Sequence, residues 1–388
     1  MRRRVAVTGI GAVSPVGTGR ERFWDALSRG ESGVRPLTLF DASDLRHRAA
    51  GEIPDFKPEE ILGPKGLRLL DRSTRLVLCA AALGLKDAGL SPEGGEGARV
   101  GVALGSTVGS LQSRASYYAT LNREGHVGLN PALFPNTVVN SPASQASIRF
   151  GLTACNATLS SGTASSLHAL DYAAQAIRLG RARAMLAGGF EELGEFLYLS
   201  FHQAGCLSDA ARPYDRRRDG VVLGEGAAVL VLEEWDSARE RGARVLAEYR
   251  GGGSSSDLEE AVGQALDEAE RAPSGVGLTC SGGSGSPSGD AAEARALSRA
   301  LGRKPLVCAV KGALGESYSA GGAFAAAAAV GSLASRSAFP TVGCEELDEA
   351  CPVEVASSRR ELPELETALV SALSPTGEAA ACALARAE

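Results

Sequence analysis

The sequence predicts an α/β fold built on a mostly parallel sheet covered by helices on both faces. Three observations carry the prediction. Short apolar strands such as Val100-Gly101-Val102-Ala103-Leu104-Gly105 alternate with helical stretches, the alternation runs along the whole chain, and it starts afresh after Gly251-Gly252-Gly253-Ser254-Ser255-Ser256. That Gly/Ser run reads as a flexible excursion and as the nearest feature to an internal boundary. With 388 residues, 44% of them hydrophobic and 22% charged, the chain has enough apolar material for a sizeable core.

Residues 5–13 read as a short apolar strand running into glycines. They do not make a dinucleotide fingerprint, because Ser14 replaces its third glycine and Pro15 blocks a helix opening at the turn. A helix over about 20–29 places Phe23, Trp24 and Leu27 on one face, and a stronger one within 67–90 is closed by Gly89. After the 100–105 strand the chain turns at 105–110 into another helix. Residues 135–142 open the next, which ends near Gly151. Strand 157–161, helix 163–180 and strand 184–189 complete a βαβ succession. The turn-rich stretch 212–226 then feeds strand 227–233 and a helix at 236–241. The second half runs through helix 257–270, strand 276–280, a Gly/Ser loop, helix 291–301, strand 306–310 and helix 321–335. Late strands follow around 353–356 and 379–385; residues 340–362 carry no readable signal.

Composition excludes several function classes. The net charge is −6 and the arginines are spread out, so nucleic acid is not an expected partner. The densest basic run, Arg216-Arg217-Arg218, reads either as a solvated or salt-bridged turn or as a carrier-protein docking point. The Arg-rich start reaches Thr8 and Gly9 too soon for a signal-peptide core, and even 323–330 is mostly Ala and stops at Gly331. No membrane association is expected and the location is expected to be cytoplasmic. Eight cysteines without a C-x-x-C pair read as buried free thiols, with no metal site and no cofactor expected.

The most informative stretch is Leu159-Ser160-Ser161-Gly162-Thr163-Ala164-Ser165-Ser166-Leu167-His168-Ala169-Leu170, where small residues end a strand and open a long helix. The helix's free N–H groups and macrodipole at such a junction favour a thiolate or an acyl oxyanion. A cysteine here would be an activated nucleophile, but the chain has Thr163.

Arg212-Pro213-Tyr214-Asp215, Arg218-Asp219-Gly220 and Gly224-Glu225-Gly226, with Gly188-Gly189 after the junction helix and the opening strand at 5–15, resemble the β-ketoacyl carrier-protein synthases over essentially the whole chain. The resemblance implies a single thiolase-like domain over 1–388, a duplicated five-layer α/β/α/β/α fold with halves 1–250 and 251–388, and assembly as a dimer. The family's chemistry needs a cysteine and two histidines. Aligned on the motifs, these positions fall on Thr163, Gly282 and Glu316. The four histidines are His47, His126, His168 and His202, so the second half holds none.

A Thr hydroxyl without a base is a poor nucleophile, Gly282 offers no side chain, and an ionised Glu316 would repel a malonyl carboxylate and the enolate left after decarboxylation. Glu316 also reads as a surface or ion-paired carboxylate without a role; Lys311 pairs with it or with Glu293. Leu373-Ser374-Pro375-Thr376-Gly377-Glu378 stands where active members carry a Gly-Phe-Gly-Gly gate, so a mobile Phe gate is missing. The pattern is similar to the chain-length factor, the inactive ketosynthase-like (ketosynthase-beta) subunit of bacterial type II polyketide systems, making aromatic or polyene chains. That likeness implies a heterodimer with an active ketosynthase, an acyl carrier protein as partner, and a shared tunnel for the polyketide acyl chain. Val108, Leu111, Gln112 and Ala115 are candidate tunnel residues, or ordinary packing. Asn140, Ser141, Ala143, Ser144 and Ser147 are candidates for the dimer interface, with Ala146 another small residue on that helix. The alternatives are an autonomous acyltransferase or hydrolase using Cys155, in Thr153-Ala154-Cys155, or a serine such as Ser161, and a purely structural ketosynthase partner.

Overall fold

The computed structural model describes residues 3–91 and 99–387. Among them a twelve-stranded sheet runs through the molecule. Its first half uses Val5–Ser14, Val100–Gly105, Asn156–Leu159, Ala184–Glu191 and Gly226–Glu234. Its second half uses Ala247–Ser255, Leu278–Ser281, Leu306–Ala309, Thr367–Leu373 and Ala379–Arg386. Counted along the chain within each half, the strands lie in the same order, third-second-fourth-fifth-first. This repeated order is the duplicated α/β arrangement that the resemblance implies.

The two halves meet where Val5–Val7 pairs antiparallel with Ala247–Tyr249, over three residues only. Beyond that seam helices Ser165–Arg178 and Ser319–Ser335 pack against each other and against strands of both halves, as the central layer. Helices Arg72–Ala88 and Ser141–Phe150 cover the outer face of the first half, and Leu258–Glu268 and Pro287–Leu301 that of the second. The Ser319–Ser335 helix is apolar all round and buried from Ser319 to Val330, as a helix between two sheets must be.

Three expectations need correction. The sheet is mixed rather than mostly parallel: pairing is parallel among the second, third and fourth strands of each half and antiparallel from the fourth to the fifth and first. In the second half the cause is direct. Residues 374–378 form a tight hairpin, with Ser374 N donating to Glu378 O at 2.7 Å, and a hairpin can only join antiparallel strands. Strand Thr367–Leu373 leaves no mark in the sequence, since a short continuous apolar run has no periodicity to reveal it. Finally, residues 251–255 are not an excursion but the end of a strand paired to Ala379–Cys382 and its neighbours. The glycines permit close approach: a Cβ on Gly253 would stand 2.0 Å from Ala261 O of the covering helix. Cys206 is exposed, and Cys155 and Cys344 are half-buried; the other five thiols are buried. Among the described residues no helix is long and apolar enough to cross a membrane.

Candidate functional site

At the junction, strand Asn156–Leu159 gives way to a turn before helix Ser165–Arg178 begins. Gly162 sits at φ +56°, a conformation that disfavours any side chain, and a Cβ there would stand 2.1 Å from Ser374 Oγ of the 374–378 hairpin. Ser165 Oγ accepts from Ser161 N at 2.8 Å and donates to Gly162 O at 2.6 Å, which locks the turn. The amides of Ala164 and Ser165 bond to Ser161 O and Gly162 O, so fewer N–H groups are left to face an anion than the sequence suggests. Thr163 is 4% exposed and its Oγ1 has no hydrogen-bond partner among the described residues. His168, one turn along, meets Ser254 Oγ at 2.9 Å, and His47 meets Asp209 at 3.2 Å, so neither serves Thr163 as a base.

The two second-half positions are filled differently. Gly282 N donates to Glu293 Oε1 at 2.8 Å, and a Cβ on Gly282 would already lie 3.2 Å from that oxygen. Glu293 is buried and also accepts from Ser371 Oγ at 2.8 Å and Tyr214 OH at 3.1 Å. Burial pushes its carboxyl up, against the pull of the Gly282 amide, Ser371 and the Lys311 charge. Lys311 makes its hydrogen-bonded ion pair with Glu316, Nζ to Oε2 at 2.7 Å, with both side chains under 10% exposed. Glu316 is therefore neither a surface group nor a free one: its other oxygen accepts from Tyr318 N at 2.8 Å.

The turn-rich signature holds these loops in place. Tyr214 N, Ser284 N and Gly285 N all donate to Asp290, at 2.8 to 3.0 Å. Asp215 accepts from Glu345 N, Glu346 N and Arg217. Burial alone would raise the Asp215 carboxyl, but Arg217 and the backbone donors hold it well below the usual range. Glu225 receives Arg72 at 2.6 Å and Ile53 N at 2.8 Å. Gly224 N donates to Glu316 O at 2.9 Å, so the signature is braced directly to the second-half loop.

Two buried acids escaped the sequence reading because nothing in the local pattern marks Glu191-Glu192 at a strand end. Glu191 accepts from Thr107 N, Val108 N, Ser106 Oγ and Ser319 Oγ, within 2.8 to 3.3 Å, and Thr107 Oγ1 in turn donates to Gly162 O at 3.2 Å. Glu192 accepts from Ser73 N and from Gln112 N. Burial pushes its carboxyl up to about 7, with Asp71 adding to the shift and the Gln112 and Ser73 donors opposing it.

Val108 precedes helix Leu111–Glu124 rather than lying on it. Val108 and Leu111 pack on an apolar cluster with Leu193, Leu197, Phe201 and Tyr318, while Gln112 and Ala115 are half-buried. The helix buries none of its residues fully, and Tyr118, Val127, Leu133, Phe134 and Val138 on it and just after it are exposed. On helix Ser141–Phe150, Ser141 and Ala143 are buried within the chain. Asn140 is exposed, Ser144 and Ser147 are half-buried, Asn156 binds Ser147 Oγ at 2.7 Å, and Ile148 is 73% exposed.

The family models for the β-ketoacyl synthase N-terminal and C-terminal domains match residues 2–238 and 250–345. The 3-oxoacyl-[acyl-carrier-protein] synthase 2 of Vibrio harveyi is 35% identical over 95% of both chains. The tetracenomycin polyketide synthase ketoacyl synthase alpha subunit of Streptomyces glaucescens is 33% identical over 99% of this chain and 97% of its own. Among solved structures, the ishigamide ketosynthase/chain length factor superposes with a TM-score of 0.95 at 28% identity, covering 100% of both chains. A type II polyketide ketosynthase in complex with its acyl-carrier protein and bound to a hexaketide superposes at 0.90, 25% identical over 100% of both. The chain belongs to the β-ketoacyl synthase family.

Within this member of the β-ketoacyl synthase family, Cys155 stands immediately before strand Asn156–Leu159 and its carbonyl pairs with Val102 N at 2.8 Å, so it lies at the start of that strand and not at the junction. Arg216, Arg217 and Arg218 are each paired, with Glu346, with Asp215 and Glu345, and with Asp348. The basic run is a salt-bridged turn that braces the synthase signature.

Proposed function

We propose that this β-ketoacyl synthase family member is the non-catalytic subunit of a type II polyketide ketosynthase: a chain-length factor that pairs with an active ketosynthase and shapes the tunnel holding the acyl chain. The carrying observation is that sulfur is replaced by the unpartnered Thr163 hydroxyl while Glu316, at a histidine position, is committed to an ion pair with Lys311. No histidine lies downstream of residue 202 to supply the imidazoles. Decarboxylative condensation needs a thiolate and donors for a developing enolate, and these residues supply neither. The exposed apolar side chains from Tyr118 to Val138 and Ile148 support a protein partner on that face. Asn140, which is exposed, and the half-buried Ser144 and Ser147 are its interface candidates on the neighbouring helix, whose position the buried Ser141 and Ala143 set.

Co-expression with an active type II ketosynthase from the same biosynthetic cluster should give a 1:1 heterodimer on gel filtration. The chain purified alone and given malonyl-loaded carrier should extend nothing. In the heterodimer, Leu111→Trp should shorten the main product. A stable homodimer that elongates chains by itself would overturn the proposal.

A further inference from the structure

We infer that Tyr318 is a further determinant of product length, and that Glu316 and Lys311 are its positioning residues; the inference rests on the tunnel-shaping role proposed above. Tyr318 caps helix Ser319–Ser335 at φ 48°, ψ −116°, a backbone region that a tyrosine enters only when its surroundings hold it there. Its surroundings do so from both sides. Its amide donates to Glu316 Oε1 at 2.8 Å, and Glu316 Oε2 is fixed by Lys311 Nζ at 2.7 Å. The next residue, Ser319, donates its hydroxyl to Phe190 O at 2.7 Å and to Glu191 Oε2 at 2.8 Å.

What this clamp orients is a ring. Tyr318 meets Phe201 edge-on, with centroids 5.3 Å apart and planes at 82°, and both pack on the cluster that holds Val108 and Leu111. Glu191 also accepts from the amides of Thr107 and Val108, so one buried carboxylate fixes the ring's helix and the Val108 segment relative to each other. A rigid aromatic wall held by buried polar contacts discriminates by size more sharply than a flexible aliphatic one, because it cannot move aside for a longer chain. On this reading Glu316 has a positive task at its position. Its carboxylate trades the imidazole's donor role for an acceptor that fixes Tyr318.

The test uses the co-expressed heterodimer with malonyl-loaded carrier, reading the product-length distribution by mass spectrometry and assembly by gel filtration. Tyr318→Gly removes the ring without backbone conflict and should make the main product longer by at least one extension unit. Tyr318→Phe keeps the ring and should leave the distribution unchanged. Glu316→Ala, which frees the Tyr318 amide, should broaden the distribution towards longer products, and Glu316→Gln, which keeps the acceptor, should broaden it less. Leu111→Trp is run beside them. An assembled Tyr318→Gly complex with the parental product length, alongside a shortened product from Leu111→Trp, overturns the role of Tyr318 and leaves the tunnel-shaping role standing. If Leu111→Trp also leaves length unchanged, the tunnel-shaping role falls as well. Should Tyr318→Gly fail to assemble, Tyr318→Leu is read by the same criteria.

Discussion

Replacing Lys311 with Met leaves the Glu316 carboxylate without its cation where water hardly reaches. The two side chains are 6% and 8% exposed and meet at 2.7 Å, so the solvent screening that makes surface ion pairs weak does not operate. Removing one member of a buried pair costs about 3–5 kcal/mol, because the survivor stays desolvated with nothing to offset it. Lys311→Met belongs at the upper end, since the buried Glu293 carboxyl also feels the Lys311 charge. Glu316→Gln belongs at the lower end, about 3 kcal/mol. Glutamine still accepts from the Tyr318 amide, and Glu293 remains to face the ammonium. The double variant Lys311→Met/Glu316→Gln removes both charges, so its cost should fall short of the sum of the singles by at least about 1.5 kcal/mol. Urea unfolding of the four proteins in one assembly state at pH 7, followed by circular dichroism with the m-values compared, supplies the numbers. Single costs below about 1 kcal/mol, or costs that add within about 0.5 kcal/mol, would refute the claim that the pair is buried and coupled.

On the proposed function, Thr163→Cys should introduce a thiol yet give no elongated product from malonyl carrier, because Gly282 and Glu316 still offer no imidazole; mass spectrometry of the product checks this. Glu192 makes stability pH-dependent: a carboxyl raised in the folded state to about 7 contributes stability that is complete below the unfolded value near 4.5 and is lost as pH rises through about 7, a span worth about 3 kcal/mol. Unfolding at pH 5 and pH 8 should show that loss, and Glu192→Gln should reduce it, leaving the part carried by Glu293, whose carboxyl is also raised by burial. Gly253→Ala should lower the Tm by forcing helix Leu258–Glu268 away from a Cβ placed 2.0 Å from Ala261 O, at a cost above about 2 kcal/mol; an unchanged Tm in a thermal scan counts against the close packing.

The legible parts of the fold were those whose signal is local. Helix Arg72–Ala88 shows its apolar face and its Gly89 stop, and the junction before Ser165 shows in its run of small residues. Strand direction was not legible, because a buried strand such as Ala184–Glu191 has the same apolar pattern whether its neighbour runs parallel or antiparallel. Thr163, Gly282 and Glu316, the positions proposed to stand for the family's catalytic residues, could be located because the signature fixes the frame around them. Their partners could not. Glu293 as the group beside Gly282, and Glu191 as the tie between Thr107 and Ser319, depend on contacts between residues 11 and 128 positions apart. Glycine spacing misled at 251–255, where a run typical of loops serves close packing in a strand.

On the proposed function, the site around Thr163, Gly282 and Glu316 is better described as repacked than as depleted. If only the reactive groups had been removed, an imidazole returned to position 282 would find space; instead its first carbon would press on Glu293 Oε1 at 3.2 Å. Moving Glu293 would disturb its bonds from Ser371 and Tyr214, and with them the brace between the signature and the second half. A histidine at 316 would leave Lys311 without its carboxylate and free the Tyr318 amide. The two positions share Lys311, which faces Glu293 and binds Glu316, so their reversals are coupled and cannot be made one at a time without cost. Thr163→Cys alone is the mild step, since it alters one side chain whose hydroxyl has no hydrogen-bond partner among the described residues. On the proposed function, a route back to condensation would have to rebuild the Glu293–Lys311–Glu316 cluster as a unit, whereas Val108 and Leu111 on the neighbouring apolar cluster can change without touching it, and Tyr318 is tied to it through Glu316.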